Sequence, residues 1–226
     1  LFSEPRVRSH LKNVYATLTM SVMASATGAY VHLFTDMLRG GGIVFSLLGA
    51  GLALGLFFTP DNGKNRPARL GMLLGFAFLT GLGLGPLLDL AIMMNPSIVP
   101  SALMLTCMVF ACFSGAALFA PDGKYLYLGG SLLSGLSTLF FLGLLNIFFR
   151  SQLLFQAHLY LGLAIFCGFI MFDTQVIIEK ARRGDKDFIA HSLDLFIDFI
   201  QIFRKVLIIL MQKKTNKEES KDKKKR

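Results

Sequence analysis

Seven apolar runs follow one another with only short polar breaks. They cover residues 14–34, 43–59, 70–93, 101–120, 125–147, 153–178 and 188–211. Most approach the roughly 20 residues that a helix needs to cross the hydrocarbon of a bilayer. Within lipid every backbone N–H and C=O must be satisfied internally, so a spanning chain forms helices or a closed barrel. A barrel strand alternates apolar and polar residues, and these runs are continuous. The predicted fold is therefore an all-α membrane protein, a seven-helix transmembrane bundle. Hydrophobic residues make up 54% of the 226-residue chain and charged residues only 16%, too little polar surface for a soluble domain of this size. The breaks at 35–42, 60–69, 95–100 and 121–124 contain Gly, Pro, Asn and Asp, which interrupt helices. One compact domain is predicted over residues 1–211. Three GxxxG pairs, Gly51–Gly55, Gly71–Gly75 and Gly81–Gly85, mark places where helix backbones can approach closely.

Lys and Arg set the orientation of such a chain. Eleven of them flank one side: Arg6, Arg8 and Lys12, then Lys64, Arg66 and Arg69, then Lys124, and finally Lys180, Arg182, Arg183 and Lys186. The other side has only Arg39 and Arg150, so the first side is predicted to be cytosolic. Seven full crossings place the basic C-terminus opposite. Either the last helix spans and the tail breaks the rule, or that helix, interrupted by Arg204 and Lys205, is central but partly re-entrant. No cleavable signal peptide is recognisable, so insertion is expected to rely on the first spanning helix. The chain starts at Leu1, and residues before it are expected.

Residues 212–226 are read as a disordered basic tail. Lys213, Lys214, Lys217, Lys221, Lys223, Lys224, Lys225 and Arg226 stand there against three acids. Such a tail can stay solvated, act as a retention address, or be drawn to anionic membrane lipid. Nucleic-acid binding is excluded, because no folded nucleic-acid module accompanies the charge. Cys107, Cys112 and Cys167 lie inside apolar runs without metal-ligand spacing and read as packing residues. No phosphate loop, HExxH or nucleophile elbow is present. An intramembrane aspartyl protease would need GxGD, whereas Asp198 sits in Phe196-Ile197-Asp198-Phe199. The chain is therefore read as non-enzymatic and without a cofactor.

The candidate site lies in the last two runs. His191, Asp194, Asp198, Gln201 and Lys205 recur at steps of three, four, three and four, which places all five on one helical stripe. An acid in lipid costs at least about 2.5–3.5 kcal/mol, so it faces protein or water and marks function. Asp173 lies ten residues before Arg183, and Asp198 fifteen after it. On an antiparallel hairpin the two can meet at similar depth, with Asp194 joining them or facing water. Two neighbouring carboxyls in a low-dielectric site cannot both ionise easily and can share a proton. Losing that proton leaves repelling charges that separate or recruit a cation, and calcium favours such oxygen ligands. Asp173 and Asp198 are thus the candidate proton-sensing gate and calcium site. His191, Asp194, Gln201, Arg204 and Lys205 are the supporting stripe or ion path. The alternative is purely structural, with the acids paired to Arg204, Lys205 or His191. Asp89, after Pro86, reads as lying near the interface at a helix kink, and His158 as a hydrogen-bonded interior residue.

Several stretches resemble the Bax inhibitor family, also called the transmembrane Bax-inhibitor-motif family. They are HLKNVYATL (10–18), GAYVH (28–32), RLGMLLGFAFLTGLGLGP (69–86), NPSIVP (95–100), LFQAHLYLGL (154–163), FDTQVIIEKA (172–181) and DLFIDFIQIFRK (194–205). The resemblance runs through nearly the whole chain and is strongest to the family's founding endoplasmic-reticulum member. It implies a seven-helix bundle with the last helix near the centre, in the endoplasmic reticulum membrane. It also implies suppression of cell death, calcium leak from the lumen, and Asp173 and Asp198 as the proton-sensing pair. Bacterial relatives use an arginine on the second helix as a latch. That helix has no basic residue here, and Arg66 and Arg69, the nearest candidates, are expected in the loop after it. The basic tail implies pH response and self-association as a homo-oligomer. Two readings follow. One is a pH-sensitive calcium leak channel or channel-like transporter, with calcium as cargo and protons as regulator. The other is a non-transporting anti-apoptotic protein that binds Bcl-2-type partners.

Overall fold

A computed structural model describes residues 4–35, 42–121 and 123–225, with backbone alone at 43, 218, 219 and 221–225. Each apolar run forms a helix: α1 (Pro5–Phe34), α2 (Gly42–Phe58), α3 (Arg66–Met94), α4 (Ile98–Phe119), α5 (Leu128–Phe149), α6 (Gln152–Arg182) and α7 (Phe188–Lys225). No strand occurs among the described residues. Helices α3 to α6 are each long and apolar enough to cross a membrane, and α2 contributes a shorter apolar stretch. The chain is a multi-pass membrane protein. α1 and α7 cover their runs as helices but carry more polar residues.

The differences from the expected boundaries have local causes. α3 starts at Arg66, so Arg66 and Arg69 belong to its first turns and not to the preceding loop. Pro67, one residue in, lacks an N–H that the first turn would leave unsatisfied anyway. α7 is one unbroken helix of 38 residues, with no interruption at Arg204 and Lys205 on which re-entry could rest. It also continues through the segment expected to be disordered. No Gly or Pro occurs after Gly184, and Lys, Glu and Gln are strong helix formers, so nothing stops the helix. Arg39, most of the expected 35–42 loop, Arg226 and the side chains of Lys221, Lys223, Lys224 and Lys225 lie outside the described residues.

Contacts group the helices into two units: Leu1–Met93 with Ile177–Phe196, and Met94–Val176 with Ile197–Arg226. In the first unit α1 and α3 touch backbone to backbone. A Cβ on Gly28 would collide with the Phe78 carbonyl, and one on Gly81 with the Ser25 carbonyl. Gly85 leaves room for the His32 ring, whose Nε2 lies 3.3 Å from Asp89 Oδ2. Asp89 is therefore bonded to α1. Gly51 and Gly71 face open space, so of the three GxxxG pairs only Gly81–Gly85 has both members in close packing. Leu56, Leu73, Ile189 and Leu193 form a buried cluster with Phe76 and Phe188 around it.

In the second unit small residues seat large ones. Gly129 lies under Phe172, Gly135 under Ile165 and Gly168 under Leu132, which knits α5 to α6. The Gln175 amide donates to the carbonyls of Ala117 (3.2 Å) and Pro121 (3.1 Å) and accepts from the Tyr125 N–H (3.1 Å). One buried side chain thus holds the α4–α5 turn to α6. Phe110 meets Phe199 edge to face.

Candidate functional site

Asp198 is 3% exposed on α7, and Asp173 is half-buried on α6, both in the second unit. Each engages polar or charged neighbours. Cys167 of α6 is buried in the same unit. Thr174 and Gln175, next to Asp173, are also buried. The α7 stripe is buried at His191, Asp198 and Lys205, half-buried at Gln201, and exposed at Asp194 and Arg204. Its members differ in surroundings from one end of the stripe to the other.

Lys205 takes up the space that Gly162 vacates: a Cβ there would lie 2.6 Å from the lysine Cε. Its ammonium stands 5.5 Å from the centre of the Phe166 ring. Lys205 and Gln201 line a groove with His158 and the apolar face of α5.

His191 belongs to the first unit. Its Nδ1 is 2.9 Å from His10 Nε2, the rings packed edge to face at 5.1 Å. One ring must donate and the other accept, so the pair is held with at least one imidazole neutral. Burial pushes the His10 imidazole below its usual range, against a weaker pull upward from Asp185 and Asp187. Beside it, Ser192 Oγ donates to the Val14 carbonyl at 3.0 Å. These contacts clasp α1 to the start of α7. They border a polar cavity of about 420 Å³ lined by Arg6, His10, Arg66, Asp185 and Lys186.

Of the two arginines suggested as a latch, Arg69 holds the turn between α6 and α7, and Arg66 is bonded to the α2–α3 loop. Arg69 is 2% exposed, and its two terminal nitrogens donate to both Asp187 oxygens at 2.7 Å. Asp187 Oδ1 also accepts the Ala190 N–H at 3.1 Å, so it caps the first turn of α7. Arg66 binds Asp61 at 3.2 Å and lies over the Phe188 ring. The sequence reading missed Asp187, His10 and Asp61. An acid immediately before a helical run is an N-cap signal, and it pointed to Asp187. Nothing in the spacing pointed to His10, 181 residues from its partner. Among the described residues no three His, Cys, Asp or Glu cluster to hold a metal ion. The lysines of the C-terminal segment with described side chains are exposed at Lys213 and Lys217 and half-buried at Lys214.

A family model described as "Inhibitor of apoptosis-promoting Bax1" matches residues 7–215. "Bax inhibitor 1" of Homo sapiens is 50% identical over 219 residues, covering 96% of this chain and 92% of that protein. The Bos taurus protein of the same name is 49% identical over 218 residues, with 96% and 92% covered. A "Probable Bax inhibitor 1" of Paralichthys olivaceus is 51% identical over 214 residues, with 94% and 90% covered. The chain belongs to the Bax inhibitor family.

Proposed function

We propose that this protein suppresses apoptosis from the endoplasmic reticulum membrane by letting calcium pass, under control of protons at Asp173 and Asp198. The observation that carries the reading is a carboxylate, Asp198, 3% exposed in an apolar helical unit that also holds Asp173. A buried carboxyl binds a proton or a cation in preference to standing bare. Protonated, Asp173 and Asp198 share a hydrogen bond that keeps the path shut; deprotonated, they repel and offer oxygens to a passing calcium ion. Calcium is cargo on this reading and no resident metal is required. The test is calcium flux through purified protein in vesicles across a pH series. The unsubstituted chain should conduct with a pH dependence, and Asp198→Asn and Asp173→Asn should reduce flux while the protein stays folded. Undiminished, pH-dependent flux in both variants would remove the aspartates from the mechanism.

The family's description as an inhibitor of apoptosis-promoting Bax1 supports a second reading, a non-transporting protein that acts by binding apoptosis regulators of Bcl-2 type. The exposed lysines at the end of α7 would be its contact surface. It expects no calcium flux from either the full chain or one lacking residues 213–226.

A further inference from the structure

The groove around Lys205 calls for a ligand of its own. It encloses about 470 Å³ in the second unit, within the roughly 300–1,000 Å³ range of small-molecule sites. Its wall is apolar: Leu136, Phe140 and Leu144 of α5 line it. All three are exposed, and only 11% of the most apolar 18-residue stretch of α5 is buried, so the groove opens toward lipid. Its floor is polar. Lys205 is 7% exposed, and among the described residues no carboxylate pairs with its ammonium, which rests only on the Phe166 ring. The Nδ1 of His158 is also buried without a hydrogen-bond partner, and the Gln201 amide lines the same space. A buried ammonium without a counter-ion is strongly disfavoured, and buried polar atoms are ordinarily satisfied.

We propose that this groove binds a long-chain fatty acid, its carboxylate on Lys205 and its chain along α5. One ammonium matches one negative charge. One carboxylate oxygen then takes the charged hydrogen bond from Lys205, while His158 and Gln201 serve the other. A phosphomonoester would bring nearly twice the charge to a single cation. A single acyl chain enters from the bilayer through the exposed α5 side and replaces lipid contact there.

The full chain in phosphatidylcholine nanodiscs, photolabelled with a diazirine-bearing palmitate and mapped by peptide mass spectrometry, tests this. Label should concentrate on residues 136–147 and 158–166. Excess palmitate should displace it and methyl palmitate should not. Lys205→Met should lower site labelling about tenfold, the effect of losing one charged hydrogen bond. Leu144→Trp, on the exposed wall, should lower it through lost space and stands in if Lys205→Met does not fold. Label spread evenly over all lipid-exposed helices, equal competition by methyl palmitate, or unchanged labelling in the folded variants would overturn the site. Stronger competition by lysophosphatidate than by palmitate would overturn the choice of a carboxylate.

Discussion

Arg69 in the first unit and Lys205 in the second are both cations that the fold removes from solvent, at 2% and 7% exposure. Arg69 has both oxygens of Asp187 at 2.7 Å. Lys205 has a ring at 5.5 Å and an apolar groove. A bidentate arginine pair offsets the desolvation of both ions and fixes geometry, here the start of α7 against α3. A lysine without an acid cannot contribute in that way. The same contrast separates His191, bonded to His10, from His158, whose Nδ1 lacks a partner. The paired groups hold helices together, and the proposed ligand would supply at Lys205 the counter-charge that Asp187 gives Arg69.

Removing a partner is the strongest challenge to this contrast. Arg69→Met leaves the Asp187 charge unpaired and loosens the α7 cap. It should lower stability by about 3 kcal/mol, with solvent at Asp187 keeping it at the low end for broken buried pairs. Thermal unfolding in detergent reads this, and Arg69→Met with Asp187→Leu should recover much of the loss. If the contrast concerns partners and not units, a satisfied polar group of the second unit must behave likewise. Gln175→Leu strands the Ala117 carbonyl and the Tyr125 N–H, while the Pro121 carbonyl keeps the Lys124 N–H, and should cost about 2 kcal/mol by the same measurement.

A smaller effect comes from pH. Burial lowers the affinity of His10 for protons in the folded protein. The unfolded chain therefore binds the proton more readily. The contribution of the pair is complete above the ordinary histidine value of about 6.5 and declines as pH falls through and below it. The slope for this one group is at most about 1.4 kcal/mol per pH unit. Melting temperatures between pH 8 and pH 5 should show the decline, and His10→Gln should flatten it. The smallest effect is expected at Lys205. Lys205→Met in lipid-free detergent removes an unpaired charge and should leave the melting temperature unchanged or slightly raised. A loss as large as that from Arg69→Met would mean that Lys205 has a structural partner, and the contrast would fail.

Much of the helical framework was legible in the sequence because a membrane admits few solutions. Long apolar runs must be helices, and each of the seven runs overlaps one. Boundaries were less legible where ordinary signals conflict. Prolines in the first turns of α3 and α4 read as loop residues, although a proline is tolerated there. The lysine-rich end read as disordered from its charge, although its propensity is helical. GxxxG spacing was only half informative. Gly81 and Gly85 meet α1 closely, while Gly51 and Gly71 face open space, because spacing says which residues share a face but not what faces them.

The sequence alone determined that the chain is helical, that it belongs in a membrane, and that acids occupy a stripe of its last helix. These follow from the cost of bare backbone in lipid and from the period of the helix, both local properties. Tertiary structure decided the partners. It gave Arg69 to Asp187, His191 to His10 and Asp89 to His32, and it seated Lys205 against Phe166 beside an open groove. A partner depends on how separate helices approach, and that is set by packing summed over many residues, so no short stretch of sequence encodes it.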